Sequence, residues 1–307
     1  MFRKKTNMIF VYSLLSLVLL AAGCAPDSDA FQFVFMTDIH VQPERQAAVG
    51  FAQAIETING LNPDFVITGG DLIMDALGQS EGRADSLYTL YENLTGAFKM
   101  PVYNTMGNHE VFGLYTDSGI PESHPLYGKN MFKERLGEGA TYRAFNHKGW
   151  HFILLDGIGF TPERRYIGYV DSMQLAWLAN DLATVDKNTP IVVSTHIPFY
   201  TIYPQMKNGP LTAASQGSVI TNGPDVLKLF AAHNLQLVLQ GHLHIVEEIK
   251  YGKTTFITAG AISAAWWRGA RDGFPEGFAF VNVRGNTFSW EYTTYGWEAA
   301  PEVNTQK

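Results

Sequence analysis

Residues 31–40 read Phe31-Gln32-Phe33-Val34-Phe35-Met36-Thr37-Asp38-Ile39-His40, an apolar run that ends in an acid and an imidazole. Such a run, rich in β-favouring Phe and Val, predicts a buried strand whose carboxyl end presents Asp38 and His40. The same construction recurs four times along the chain. Phe65 to Gly69 leads into Gly70-Asp71, and Val102 to Met106 leads into Gly107-Asn108-His109-Glu110. Ile191 to Thr195 leads into His196, and Leu237 to Gln240 into Gly241-His242-Leu243-His244. In open α/β sheets ligands bind beyond the carboxyl ends of the strands, so five such ends would converge on one crevice. A lone Asp or His after a strand is ordinarily a turn former. Five strand ends that all carry Asp, His or Asn point instead to one metal site built from the whole chain.

Outward from these runs, helical periodicity is expected near Glu44 to Asn59, Ala84 to Phe98, Asp171 to Thr184 and Asp225 to His233. Alternation of strand and helix implies crossover connections and a largely parallel arrangement. Thr141 to Asp156 breaks the alternation as two strand-like runs around Lys148-Gly149, a predicted hairpin. Beyond His244 the chain becomes strand-rich, with runs at Ile245–Tyr251, Lys253–Ala259, Phe278–Val283 and Thr287–Thr293. The expected fold is α/β: a single-domain, two-sheet α/β sandwich with flanking helices over residues 31–300. Residues 111–140 and 197–223 lack a clear period. Long loops beside the proposed ligands are predicted to be lids.

The first 23 residues differ in kind: Arg3, Lys4 and Lys5 precede an apolar stretch from Met8 to Ala22, closed by Gly23-Cys24. A positive region followed by a short apolar one is a secretory signal, and the stretch is short for a membrane span. Ala21-Ala22-Gly23-Cys24 resembles a bacterial lipobox. The expectation is a signal peptide over residues 1–23, a tether over residues 24–30, and a domain held in the extracytoplasmic cell envelope by lipid on Cys24. An unlipidated signal and an uncleaved anchor helix are the alternatives. Cys24 is the chain's only cysteine, so no intramolecular disulfide can form and stability rests on packing and metal binding. Removing residues 1–23 leaves 19 basic against 29 acidic residues, a net charge of −10. A domain this acidic, without a basic patch, is a poor candidate for binding nucleic acid polymers over a broad surface. A small phosphate ester can still bind where divalent ions reverse the local potential. No protein partner is expected.

All the candidate ligands offer nitrogen or oxygen, which excludes iron–sulfur clusters and zinc ribbons and suits a divalent ion such as Mn, Fe or Zn. Asp38, His40, Asp71, Asn108, His196, His242 and His244 are too many for one ion. Two ions sharing a carboxylate fit the count; roughly 3.5–4 Å apart, such a pair clamps a phosphoryl group and presents a bridging hydroxide.

The motif series Asp38-Ile39-His40, Gly70-Asp71, Gly107-Asn108-His109-Glu110, His196 and Gly241-His242-Leu243-His244 resembles that of the calcineurin-like metallophosphoesterase superfamily, over about residues 31–260. The resemblance implies one metal on Asp38, His40, Asp71 and His244, a second on Asp71, Asn108, His196 and His242, and Asp71 as the bridge. It also implies a catalytic role for His109 outside the metal shell, as an imidazolium that stabilises charge on the phosphoryl oxygens or protonates the leaving alkoxide, the acid role being the one expected. Asp75 or Glu110 would orient that imidazole; the alternative for Glu110 is a solvated loop carboxylate.

Two departures narrow the family. Met74 stands three residues after Asp71, where purple acid phosphatases carry a metal-bound Tyr. Met106 stands before Gly107, where Ser/Thr protein phosphatases carry an Arg that grips phosphate. The remainder is most similar to bacterial class III cyclic-nucleotide phosphodiesterases, including Gly168-Tyr169-Val170 through Gln174, Trp177 and Leu178.

The expected function is hydrolysis of a small phosphodiester by a dinuclear metal enzyme, with Asp71 and His109 at the reaction centre. A phosphomonoesterase and a non-catalytic metal- or phosphoester-binding lipoprotein are the rivals. His124, His147, His151 and His233 read as surface or satisfied residues. Phe199, Tyr200 and Tyr203, and the cluster Trp266, Trp267, Arg268 and Arg271, are secondary candidates for substrate contact, against core packing and solvent-facing arginines.

Overall fold

The computed structural model describes residues 29–300; the expected signal, Cys24 and most of the tether lie outside them. In chain order the elements are β1 (Phe31–Met36), α1 (Ala47–Leu61), β2 (Phe65–Thr68), α2 (Glu81–Thr95), β3 (Val102–Asn104), α3 (Asn130–Arg135), β4 (Arg143–His147) and β5 (Trp150–Leu154). They continue with β6 (Ile158–Phe160), β7 (Tyr166–Gly168), α4 (Ser172–Leu182), β8 (Pro190–Thr195), α5 (Tyr203–Asn208) and α6 (Gly223–Leu229). The last are β9 (Asn234–Gln240), β10 (Val246–Tyr251), β11 (Thr254–Ala259), β12 (Phe278–Arg284) and β13 (Thr287–Thr293).

Two sheets carry the fold: five strands ordered β13-β12-β1-β2-β3, and six ordered β10-β11-β9-β8-β5-β4. Within them β1, β2 and β3 run parallel, as do β5, β8, β9 and β11, so the strand ends that carry the motifs lie on one edge. The strand alternation explains why the sheets pack face to face. Phe31, Phe33 and Phe35 of β1 enter a core with Phe65, Trp150, Phe152, Leu237 and Leu239, while Val34 and Met36 face the layer of Phe51, Ile55 and Tyr88. Period-two burial on both faces accounts for an almost unbroken apolar run in β1. The inter-sheet core is aromatic: Phe33 stacks on Phe65 at 5.2 Å between ring centroids and meets Phe152 edge-on at 5.5 Å.

The two-sheet α/β sandwich is therefore as expected, with shifted element ends. Helix α1 starts at Ala47 rather than Glu44 because Pro43 precedes it and Arg45 and Gln46 are left-handed, at φ 57° and 55°. Helix α2 starts early, at Glu81, because the Ser80 hydroxyl caps it by accepting from Arg83 N–H. Helix α6 is displaced to Gly223–Leu229, and β3 stops at Asn104. The stretches 111–140 and 197–223 are not structureless: they contain α3 and α5. Residues 111–120 are also fixed rather than lid-like. Val111, Phe112 and Leu114 are buried, and Arg164, from the unforeseen β6–β7 hairpin, donates to the carbonyls of Gly113, Leu114 and Ile120. No helix among the described residues is long and apolar enough to cross a membrane.

Candidate metal centre

The turns beyond the parallel strands are stitched to one another by backbone. Asp38 N–H donates to Gly70 O at 3.0 Å, His40 N–H to Asp71 O at 2.9 Å, and Gly241 N–H to His196 O at 2.9 Å. Close approach requires glycine at two of these turns. A Cβ on Gly107 would lie 2.2 Å from Asp71 N, and one on Gly241 would lie 2.1 Å from Thr37 Oγ1. Five of the seven ligand candidates, Asp38, His40, Asp71, His242 and His244, are non-glycine residues with φ between 47° and 72°. Left-handed backbone of this kind is unfavourable for branched residues and persists where surrounding structure imposes it, commonly at functional sites.

The seven side chains meet. His40 Nε2 lies 3.0 Å from His244 Nε2, and His244 Nε2 lies 3.2 Å from Asp38 Oδ1. Asp71 Oδ2 lies between, 3.6 Å from His40 Nε2 and 3.1 Å from His196 Nε2. His196 Nε2 is in turn 3.1 Å from Asn108 Oδ1 and 3.2 Å from His242 Nδ1. Two compact donor groups result, Asp38–His40–His244 and Asp71–His196–His242, and Asp71 also closes a third with His40 and His109. His109 thus stands nearer the cluster than a role wholly outside it implies. Its Nε2 is 3.8 Å from Asp71 Oδ2, its ring lies edge-on to His40 at 4.6 Å, and its side chain is 22% exposed.

The donor chemistry fits divalent cations. His196 Nδ1 lies 2.7 Å from Gly69 O and His244 Nδ1 2.5 Å from Ala264 O, so each ring is fixed through its outer nitrogen and aims Nε2 at the cluster. Electrostatics agree. Burial opposes charge on Asp71, yet the adjacent His196 and His109 imidazoles hold its carboxyl well below the usual range. Asp38, despite burial, is lowered to about 2 by His244. Burial and the His109 imidazole lower His40 well below its ordinary value, and burial with the His196 charge takes His242 to about 3. Ionised carboxylates and neutral imidazoles are the protonation states that cation ligation needs. His196 is the exception: although burial works against it, Asp71 raises it to about 9, so a cation arriving there takes the place of its proton.

The orienting contacts include several that sequence did not reveal. Glu110 is neither a partner of His109 nor solvated. It is fully buried and accepts backbone N–H groups from Asp71, Leu72, Ile73 and Gly107 at 2.7–3.2 Å, joining the two turns that carry Asp71 and Asn108. Burial and the nearby Asp71 charge push it up to about 7 against those four donors. His109 Nδ1 donates to Met74 O at 2.5 Å, with Asp75 Oδ1 3.8 Å away from that nitrogen. Thr37 Oγ1 donates to Asp38 Oδ2, and Ser263 Oγ to Asp38 O. Short hydroxyl and carbonyl partners of this type carry no motif that a single sequence exposes.

The remaining candidates separate. Trp267 is core, packed on Trp297 and donating to His40 O, whereas Trp266 lies half-exposed with its ring 4.6 Å from His244 and the Arg271 guanidinium 4.6 Å above it. Arg268 is exposed. Phe199 is buried, while Tyr200 is partly exposed and Tyr203 joins Asp272 and Lys207. His151 sits between Asn146 and Asp181, His147 beside Asp64, and His124 beside Glu81, all away from the cluster.

A family model described as calcineurin-like phosphoesterase matches residues 31–246. No curated protein matches the chain significantly. Among solved structures, a dimetal phosphatase from Danio rerio superposes with TM-score 0.62 at 15% identity, covering 87% of this chain and 96% of its own. A phosphopantetheinyl hydrolase from Mycobacterium tuberculosis is similar with TM-score 0.47 at 16% identity, covering 75% of this chain and 89% of its own. At these identities the likeness is one of fold, but the family model spans most of the chain: the chain belongs to the calcineurin-like phosphoesterase family.

Proposed function

We propose that this protein is a metal-dependent phosphoric ester hydrolase that prefers phosphodiesters. The observation that carries the reading is the convergence of seven nitrogen and oxygen donors, with His196 and His244 oriented by backbone carbonyls so that their Nε2 atoms face inward. Asp38, His40, Asp71 and His244 would hold one divalent ion and Asp71, Asn108, His196 and His242 a second, with Asp71 shared; Mn, Fe and Zn suit the donor set. Bound there, the ions supply Lewis acidity toward the phosphoryl oxygens and an activated water.

The chain's own residues do the rest. His109, anchored through Nδ1 to Met74 O and open to solvent on one side, turns Nε2 toward the centre, where it donates a proton to the departing oxygen. Asp75 beside its Nδ1 supports the imidazolium. Glu110 locks the register of the two turns that present Asp71 and His109. The diester preference is supported by Met106, which is buried before Gly107 and offers no cation to a second phosphate charge.

The lipobox-like Ala21-Ala22-Gly23-Cys24 supports attachment to a membrane of the bacterial cell envelope through lipid on Cys24, the catalytic domain standing outside the cytoplasm. Mass spectrometry of the mature N-terminus tests this: an unmodified or internal Cys24 would remove it.

The deciding assay is hydrolysis of bis(p-nitrophenyl) phosphate and p-nitrophenyl phosphate after chelation, with and without added Mn²⁺. Metal-restored cleavage, faster for the diester, is expected. Equal or faster monoester cleavage would overturn the preference, and no cleavage of either with two metals bound would favour a binding protein.

A further inference from the structure

Tyr166, the first residue of β7, stands against the donor group of Asp71, His196 and His242. Its ring meets His242 edge-on, with 5.9 Å between centroids. Of the seven donors only His242 is half-exposed, as is His109 beside them; the other six are buried. Solvent therefore has a way to the centre beside His242, where Tyr166 stands. The Asp71 charge reaches the phenol as well: after burial, it does most to raise that group above its ordinary value.

The Tyr166 hydroxyl has no acceptor. Tyr88, Tyr91, Tyr292 and Tyr295 donate to Glu110 O, Asn104 Oδ1, Pro275 O and Ile262 O, as phenols taken out of water ordinarily do. Tyr166 also packs against the core, yet among the described residues nothing lies within hydrogen-bond distance of its oxygen. Its position is fixed by other means. Tyr166 pairs with Phe160 across the β6–β7 hairpin, and Gly168 at the end of β7 donates to Gln216 O and accepts from Thr221 N–H, both at 2.8 Å. Gly217 lies against the ring, where a Cβ would sit 3.5 Å from Cε2. Arg164, at the hairpin turn, holds the carbonyls of Gly113, Leu114 and Ile120. A donor left unsatisfied at a fixed place beside a ligand candidate is preorganised for something that arrives there.

We infer that the Tyr166 hydroxyl donates a hydrogen bond to a non-bridging oxygen of the substrate's phosphoryl group. The inference rests on the phosphoesterase reading above and adds a substrate-binding residue to that site. The division of labour is simple: His109 serves the departing oxygen, and Tyr166, from the His242 side, serves an oxygen that stays on phosphorus. A neutral donor suits the single negative charge of a phosphodiester, which needs no second cation.

Tyr166→Phe removes the oxygen alone. In the metal-loaded, full-length protein it should lower kcat/KM for bis(p-nitrophenyl) phosphate roughly tenfold or more, the change expected for one hydrogen bond to a charged acceptor. Inorganic phosphate binding, read by calorimetry, should weaken by a similar factor. Metal content and the urea-unfolding midpoint should stay as in the wild type, because no bond within the protein is lost. Tyr169→Phe, at an exposed phenol just past β7, should alter none of these readouts. Unchanged rate and phosphate affinity in Tyr166→Phe would overturn the inference. So would losses accompanied by a missing metal or a lowered midpoint, which would make the hydroxyl structural, or equal losses in Tyr169→Phe. The two readings fail separately. A wild type that binds phosphate but cleaves neither p-nitrophenyl ester would strike down the enzyme reading, while weaker phosphate binding by Tyr166→Phe would still uphold the donor. A wild type that cleaves, matched by Tyr166→Phe in rate and affinity, would do the reverse.

Discussion

At the scale of single residues, Asp71 and His109 make separable predictions. The Asp71 carboxylate lies within 4 Å of His40, His196 and His109 together. Asp71→Asn should therefore abolish turnover and lower the metal content from two ions to one, read by elemental analysis of the purified variant. His109→Ala should slow turnover by about 10²- to 10⁴-fold, the usual contribution of a positioned acid, and retain both metals. An unchanged rate would end the acid assignment; loss of a metal would make His109 a ligand instead. Glu110 is predicted to act on stability as well as activity. Replacing it by Ala leaves four backbone donors buried without a partner, so metal-free Glu110→Ala should lose at least about 3 kcal/mol in urea unfolding. A loss below about 1 kcal/mol would mean that water replaces the carboxylate. None of this was visible for Glu110 in sequence, where the position two residues after Asn108 reads equally well as a surface acid. Its four donors come from residues 37 to 39 and 3 positions away, brought to it only by folding.

At the scale of elements, helix α4 is held at its start by two polar devices. Asp171 accepts from Gln174 N–H at 2.8 Å as an N-cap, and the buried Gln174 side chain pairs twice with the Asp156 backbone, through Oε1 at 2.9 Å and Nε2 at 2.8 Å. Asp171→Ala should cost about 1 kcal/mol and Gln174→Ala about 2 kcal/mol or more, because the latter strands a buried N–H and a buried carbonyl. Chemical denaturation of the two variants reads the order; a larger loss for Asp171→Ala would contradict it. The element scale is also where sequence reading stopped being accurate. Periodicity located α1 and α4 well, since an apolar face is visible in order along the chain. It misplaced the start of α1, where Arg45 and Gln46 adopt left-handed backbone after Pro43, and it missed β6, β7 and α5, which are too short to establish a period.

At the scale of the whole molecule, the two sheets meet at the edge carrying the site through the donor cluster and through polar contacts such as Thr105 Oγ1 to Ser194 Oγ at 2.7 Å, Ile262 N–H to Thr37 O at 2.9 Å and Trp267 Nε1–H to His40 O at 3.0 Å. The ligand candidates come from both sheets: Asp38, His40, Asp71 and Asn108 follow strands of the first, His196, His242 and His244 strands of the second. Metal bound by donors from both sheets would clamp the sheets together. Chelation should lower Tm by about 5 °C or more, since a site occupied at a hundredfold its Kd adds about 2.7 kcal/mol, and readdition of Mn²⁺ should restore it. An unaltered Tm after complete metal removal would show that packing alone holds the sheets together.

By itself the sequence determined the class of the fold, the strand ends that carry chemistry and the identity of the donors. Those properties are local: apolar alternation, glycine at tight turns and the residue just past each strand are written in order along the chain. Only the tertiary structure decided which donors face one another, that Glu110 staples two turns, and that Trp266 and Trp267 part company. Each of these depends on residues distant in sequence meeting across two packed sheets, and on backbone turned left-handed at Asp38, His40, Asp71, His242 and His244, a conformation that packing imposes and no local pattern announces.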